Sequence, residues 1–105
     1  LVIRGINVFP SQIEHVLRSL PEVGDQFMVY VDRINHLDEM SIDVEIRREF
    51  FSGELKDLDR IQKKIIHALR DTLNLRTKVN LVEHESLPRF EGKAKRVIDR
   101  RGDAI

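Results

Sequence analysis

Leu55, Leu58, Ile61, Ile65, Leu69 and Leu73 recur at intervals of three and four residues, the spacing that gathers side chains into one stripe along an α-helix. Lys56, Arg60, Lys63, Lys64 and Arg70 fall largely elsewhere around the same helix, so one face is apolar and the other is wetted. A stripe this long has to be covered. At about 1.5–3 kcal/mol for each well-buried side chain, it is the largest single apolar contribution the chain can make to a core.

Shorter elements surround that helix. Leu1, Val2, Ile3, Ile6 and Val8 read as a strand broken at Gly5 and ending at Phe9, with Gly5 free to bulge. Pro10 suits a first helical turn, Asn7 or Ser11 could cap it, and Ile13, Val16, Leu17 and Leu20 follow at helical spacing until Pro21 and Gly24 close the helix. Gln26–Asp32 is rich in β-branched and aromatic residues, and Ile42, Val44 and Ile46 alternate with Asp43, Glu45 and Arg47, the pattern of a half-buried strand. The polar stretch from Arg33 to Met40 predicts an exposed loop joining these two strands as a hairpin. Val79, Leu81 and Val82 supply a fourth strand, Glu83 to Gly92 is polar and turn-like, and Val97 with Ile98 forms a short fifth strand or terminal turn. The order β, α, β, β, α, β predicts an α+β fold, a ferredoxin-like two-layer sandwich with an antiparallel sheet and both helices on one face. That layout hosts many unrelated activities, so function has to come from particular residues.

With 105 residues there is room for one domain with one core. Hydrophobic residues make up 41% and charged residues 34%, too apolar for a disordered chain and too interrupted by charge for a membrane span. Eighteen Lys and Arg balance eighteen Asp and Glu, so any polyanion site has to be local. The absence of cysteine excludes disulfides, thiolate zinc sites and a cysteine nucleophile. His15, His36, His67 and His84 lack metal-type spacing, and Asp38-Glu39 and Asp57 with Asp59 lack a calcium-loop pattern, so no metal site is expected. The chain opens on Leu1, in mid-strand style. We therefore expect a fragment whose preceding sequence has been cut away, with the cytoplasm as its default compartment.

The two ends carry the most information. Ile3-Arg4-Gly5-Ile6-Asn7-Val8-Phe9-Pro10-Ser11-Gln12-Ile13-Glu14 closely resembles the segment that follows the interdomain hinge of phenylacetate-CoA ligases. Leu87-Pro88-Arg89-Phe90-Glu91-Gly92-Lys93-Ala94-Lys95-Arg96 resembles their lysine-bearing loop. The Arg-Gly-x-Asn-Val-Phe-Pro run is specific to that subfamily; a Gly-Lys followed by Arg is common taken singly. The two fall in the right order and roughly the right distance apart, and the resemblance covers essentially the whole chain.

The resemblance implies a single C-terminal lid domain over residues 1–105 of an adenylate-forming ligase, its large N-terminal domain absent and its hinge residue upstream of Leu1. It implies ATP, coenzyme A and Mg2+ as cofactors, held mainly by the N-terminal domain. The substrate would be an aryl or arylacetic acid, first adenylated and then transferred to coenzyme A, with rotation of the lid between the two steps. A homodimer of the full-length enzyme is among the arrangements it allows; a membrane or nucleic-acid partner is not implied.

In that reading Lys93 is the catalytic residue. A carboxylate brought against an ATP α-phosphate places like charges in contact, and an ammonium between them stabilises the encounter and the transition state. Lysine suits a mobile lid because its compact charge sits on a long flexible stem. Gly92 would allow close backbone approach, and Arg96 would support the loop. A register two residues off would put Lys95 in the lysine position, because three residues separate Pro88 from Gly92 where the wider superfamily often has four. Arg4 and Gly5 would belong to a strand used in the thioester step, Gly5 leaving room beside the coenzyme A thiol arm. On the residues alone, an edge strand with a bulge is the alternative account of them.

Two other functional classes follow from the same fold. Arg89, Lys93, Lys95, Arg96, Arg100 and Arg101 form a local polycation that would suit RNA as well as nucleotide phosphates, although Tyr30 is the only tyrosine available for base stacking. A small regulatory ligand-binding domain that dimerises through its sheet edge is the other.

Overall fold

A computed structural model describes residues 1–51, 53–87 and 96–101. The opening apolar run is a hairpin and not one strand: β1 (Val2–Ile3) pairs antiparallel with β2 (Ile6–Asn7). Arg4 and Gly5 form its two-residue turn with φ of 51° and 76°, the left-handed pair that matches strand twist in a tight hairpin. The turn swings Ile3 and Val8 into the core, where both are fully buried.

Helix α1 (Pro10–Arg18) follows, its N-cap being Phe9. Neither Asn7 nor Ser11 supplies the cap; Gln12 reaches back so that its Oε1 accepts the Phe9 N–H at 3.0 Å, half of a capping box. Ile13, Val16 and Leu17 are buried against helix α2 (Leu55–Leu73), which buries Ile61, Ile65, Leu69 and Leu73. Asn74 ends α2 in the left-handed conformation at φ 58°, a conformation asparagine tolerates better than most residues. The stripe is shorter than its sequence suggests. Leu55 is 84% exposed and Leu58 half-buried, because the first turn of α2 extends past the packed surface; with Leu81 they line an open groove of about 380 Å³.

Between the helices run β3 (Val23–Ile34) and β4 (Leu37–Ile46), an antiparallel pair far longer than its apolar cores. The expected loop from Arg33 to Met40 is absent: Ile34 pairs with Leu37, and Asn35 and His36 turn the chain with φ of 51° and 66°. Strands β5 (Lys78–Val82) and β6 (Val97–Asp99) complete a sheet in the order β5-β4-β3-β6.

The α+β class and two helices on one face are as expected, but the sheet is mixed and not antiparallel throughout. Both β4–β5 and β3–β6 are parallel. The reason lies in the connections. Helix α2 carries the chain from β4 to its neighbour β5, and a helical crossover returns the next strand in the same direction; the opening run, taken up by its hairpin, contributes no strand to this sheet. Phe27, Val29, Val31, Met40, Ile42, Val44 and Ile46 point to the helices and join one core cluster with both of them. The opposite face carries Tyr30, Asp32, Asp43 and Glu45 by strand alternation.

Candidate functional site

Lys93, Gly92 and the alternative Lys95 lie outside the described residues. The points at which the chain enters and leaves that segment are well defined. After β5 a turn forms in which the Ser86 N–H and hydroxyl both donate to Glu83 O, at 3.2 and 2.6 Å. Glu85 takes φ 65°, and its N–H and that of Leu87 converge on the Glu45 carboxyl, at 3.1 Å to Oε1 and 3.0 Å to Oε2. The two amides alternate, with the Ser86 N–H between them turned to Glu83 O, so the turn closes on the carboxyl of the protein's own Glu45 side chain. Glu45 is 0% exposed.

At the far end Arg96 O accepts the Val29 N–H at 2.7 Å as the chain enters β6. The Arg96 guanidinium donates to Gln26 Oε1 at 3.0 Å and packs over the Phe27 ring, 4.8 Å from its centroid. It is thus engaged within its own domain. The chain is therefore anchored to β4 at Leu87 and to the adjacent strand β3 at Arg96.

Both anchors meet at an irregularity in β3. Val23 pairs with Ile46 and Phe27 with Val44, so Gly24, Asp25 and Gln26 oppose Glu45 alone. Such bulges redirect side chains, and this one brings Gln26 to Arg96. It also brings Gly24 so close to β4 that an added Cβ would stand 3.2 Å from Glu45 O. Sequence reasoning missed Glu45, because a polar residue between Val44 and Ile46 reads as the wet position of an alternating strand. The turn at residues 83–87, from more than thirty-five residues away in sequence, supplies two of its hydrogen-bond donors.

Arg4 and Gly5 sit at the other end of the β3–β4 hairpin, at a turn and not within a strand. Arg4 Nε donates to Asp38 O at 2.7 Å. The Asp38 carboxyl accepts Arg33 Nε at 2.9 Å and Arg101 Nη1 at 2.9 Å; Arg33 first and then Arg101 hold it below the usual carboxylate range despite some desolvation. Arg101 also donates to Val2 O and to both oxygens of Asp99, and this pairing lowers the Asp99 pKa. Gly5 has open space where a Cβ would be. Its backbone conformation is what favours glycine within the chain itself. Beside the turn is an open groove of about 480 Å³ lined by Arg4, Arg33, His36, Leu37 and Asp38.

The described members of the expected polycation are all engaged internally. Arg100 makes two contacts with the Asp32 carboxyl, at 2.8 and 2.7 Å, and lies over the Tyr30 ring at 4.7 Å. The face of Tyr30 that a nucleic-acid base would need is thereby occupied, and Phe27 is buried in the core. Among the described residues no three His, Asp or Glu side chains converge as metal ligands, and no helix is long and apolar enough to cross a membrane.

Residues 5–101 match the model of a family described as AMP-binding enzyme C-terminal domain. Phenylacetate-coenzyme A ligase of Aromatoleum evansii is 34% identical over 103 residues, covering 96% of this chain and 23% of that protein. The chain thus spans about a quarter of such a relative. A crystallised domain of phenylacetate-coenzyme A ligase from Bacteroides vulgatus superposes with a TM-score of 0.87 at 29% identity, covering 98% of this chain and 93% of that one. A 2-hydroxyisobutyryl-CoA ligase, in complex with 2-HIB-AMP and CoA in its thioesterification state, superposes at 0.90 with 31% identity over 95% of this chain and 21% of its own.

Proposed function

The chain belongs to the AMP-binding enzyme C-terminal domain family, and from that premise we propose that it is the mobile C-terminal domain of an AMP-forming aryl-acid CoA ligase. ATP and a carboxylic acid give an acyl-adenylate and pyrophosphate; the coenzyme A thiol then displaces AMP to form the thioester. Lys93 supplies the cation for the first step, lying between the substrate carboxylate and the α-phosphate as negative charge builds in the transition state. The Arg4-Gly5 turn serves the second step, after the domain has rotated. Mg2+, ATP and the acid are held by the remainder of the enzyme, in the cytoplasm where these substrates are available. Phenylacetate-like acids are the substrate class.

The observation that carries this reading is the family match across residues 5–101, which takes in the lysine-bearing loop and the opening motif from Gly5 onward. The placement of their described parts supports a two-state use. Arg4 contacts Asp38 at one end of β4, whereas Glu45, seven residues on, receives the turn that leads to Lys93. At roughly 3.3 Å per residue the two ends are about 20 Å or more apart, too far to meet one reaction centre together. A domain that turns can present each in its own step.

The test separates the half-reactions in the full-length enzyme. Lys93→Ala is expected to slow pyrophosphate release by about 10²–10³-fold, the usual loss on removing a transition-state charge partner, while thioester formation from supplied acyl-adenylate persists. Equal loss in both steps would count against the role assigned to Lys93.

A further inference from the structure

The opening hairpin stands outside the four-stranded sheet, and with strands of two residues it has little rigidity of its own. Ile3 and Val8, both fully buried, pin one of its faces to the core. Its ladder is closed by the Ile3–Ile6 pair and by the Val8 N–H, which donates to Leu1 O at 2.6 Å; the Val2 carbonyl, between these bonds, points away from β2. Arg101 Nη1 donates to that carbonyl and to Asp38 Oδ2, the latter at 2.9 Å. The same guanidinium grips Asp99 with a fork, Nε to Oδ1 at 3.1 Å and Nη2 to Oδ2 at 2.9 Å, a geometry that fixes its plane. Asp38 in turn offers its backbone carbonyl to Arg4 Nε at 2.7 Å. The turn and the strand that leads into it are thus tied to one cation, and that cation to the end of β6.

We infer that Arg101 is a positioning residue for the thioester step: anchored on Asp99, its guanidinium sets the orientation of the Arg4-Gly5 turn through the Val2 carbonyl and through Asp38. The inference rests on the proposed role of that turn. Arg101 acts through Val2 and Asp38 and needs no contact with substrate. Strand β6 does not depend on it: Val97, Ile98 and Asp99 pair with β3, the Arg100 N–H donates to Val31 O at 2.7 Å, and the Arg100 side chain is bound to Asp32. The first half-reaction, which does not use the turn, is therefore spared when Arg101 is changed.

The experiment uses the full-length ligase with Arg101→Lys, which keeps a charge beside Asp38 and Asp99 but cannot grip Asp99 with a planar fork and reach Val2 O as well. Thioester formation from supplied acyl-adenylate is expected to slow by about tenfold to a hundredfold, as for a reacting group displaced by about an ångström. Pyrophosphate release stays at the parent rate, and hydrogen exchange rises at Ile6 and Val8. Asp38→Asn leaves the Asp38 carbonyl to Arg4 but sets a neutral amide against the guanidiniums, and reproduces the selective loss if Arg101→Lys folds poorly. Combining the two is expected to add no further loss, because both break the same tie. Equal loss in both half-reactions, or faster exchange with thioester formation unchanged, overturns the inference while leaving the turn in its role. A Gly5→Asn enzyme that forms thioester at the parent rate removes the role of the turn, and the inference with it.

Discussion

Arg101 and Asp38 are 63 residues apart in sequence and 2.9 Å apart in space. Arg101 is only 15% exposed, and besides Asp38 it reaches Val2 O and Asp99. One guanidinium therefore ties the opening hairpin, the tip of β3–β4 and the end of β6 together. The hairpin docks through the buried Ile3 and Val8, and the ionic knot closes the polar side of this end of the domain.

The knot makes stability depend on acid in a definite direction. Asp38 is held low by Arg33 and then Arg101, and Asp99 by Arg101. For Glu22, burial pushes upward, and the Lys64 ammonium 2.8 Å away, a backbone hydrogen bond and Arg60 together more than offset it. A carboxyl whose pKa is depressed by folding contributes stability that is complete above its unfolded value, about 4, and is lost as pH falls through the lower folded value. Melting temperature is therefore expected to be insensitive to these three groups between about pH 7 and 5 and to fall below about pH 4. Asp38→Asn should lower the plateau and flatten the acid limb. An acid limb as steep as the parent's in that variant would show that Asp38 is not among its causes.

Gly5 separates a conformational role from a catalytic one. Its φ of 76° disfavours any residue with a Cβ, yet nothing lies within 4 Å of where that Cβ would be. Gly5→Val is expected to destabilise the domain by about 1–2 kcal/mol through backbone strain. Gly5→Asn should fold nearly as well as the parent, since asparagine tolerates the left-handed region. In the full-length ligase Gly5→Asn then puts a side chain where the proposed thioester step requires room. Slower thioester formation with unchanged adenylation is the expected result, and parent rates in both steps would limit Gly5 to making the turn.

Helix α2 provides a contrast within one sequence stripe. Leu69 is fully buried and Leu55 is 84% exposed. Leu69→Ala should cost about 2–5 kcal/mol, whereas Leu55→Ser should stay within about 0.5 kcal/mol. Denaturant unfolding of the two variants measures both, and comparable costs would mean that the first turn of α2 is covered in solution.

What the sequence revealed and concealed follows from the range of the interactions. The stripe of α2, the apolar positions of α1 and the alternation in β4 are local periodicities, and they located the core. The Arg4-Gly5 and Asn35-His36 turns were missed because neither is one of the Asn-Gly or Asp-Gly pairs that mark such hairpins most clearly, and strands of two residues show no alternation. The parallel edges of the sheet depend on crossovers, which leave no periodic trace. Motif resemblance pointed to Lys93 and Arg96, but Glu45 was hidden because its hydrogen-bond donors come from a turn about forty residues downstream.

Gly24 offers a way to disturb that buried carboxylate without touching its chemistry. A Cβ at Gly24 would stand 3.2 Å from Glu45 O and 3.4 Å from Glu45 Cβ, tighter than ordinary contact, and the nearer atom is backbone within a paired strand. The strand cannot rotate aside as a flexible side chain would, so Gly24→Ala should displace Glu45 by a few tenths of an ångström and destabilise the domain by about 1–3 kcal/mol. Because the Glu85 and Leu87 amides donate to the Glu45 carboxyl, this variant should also raise hydrogen exchange at both residues. A destabilised Gly24→Ala protein in which both amides remain protected would mean that the β3 bulge absorbs the added methyl without moving Glu45.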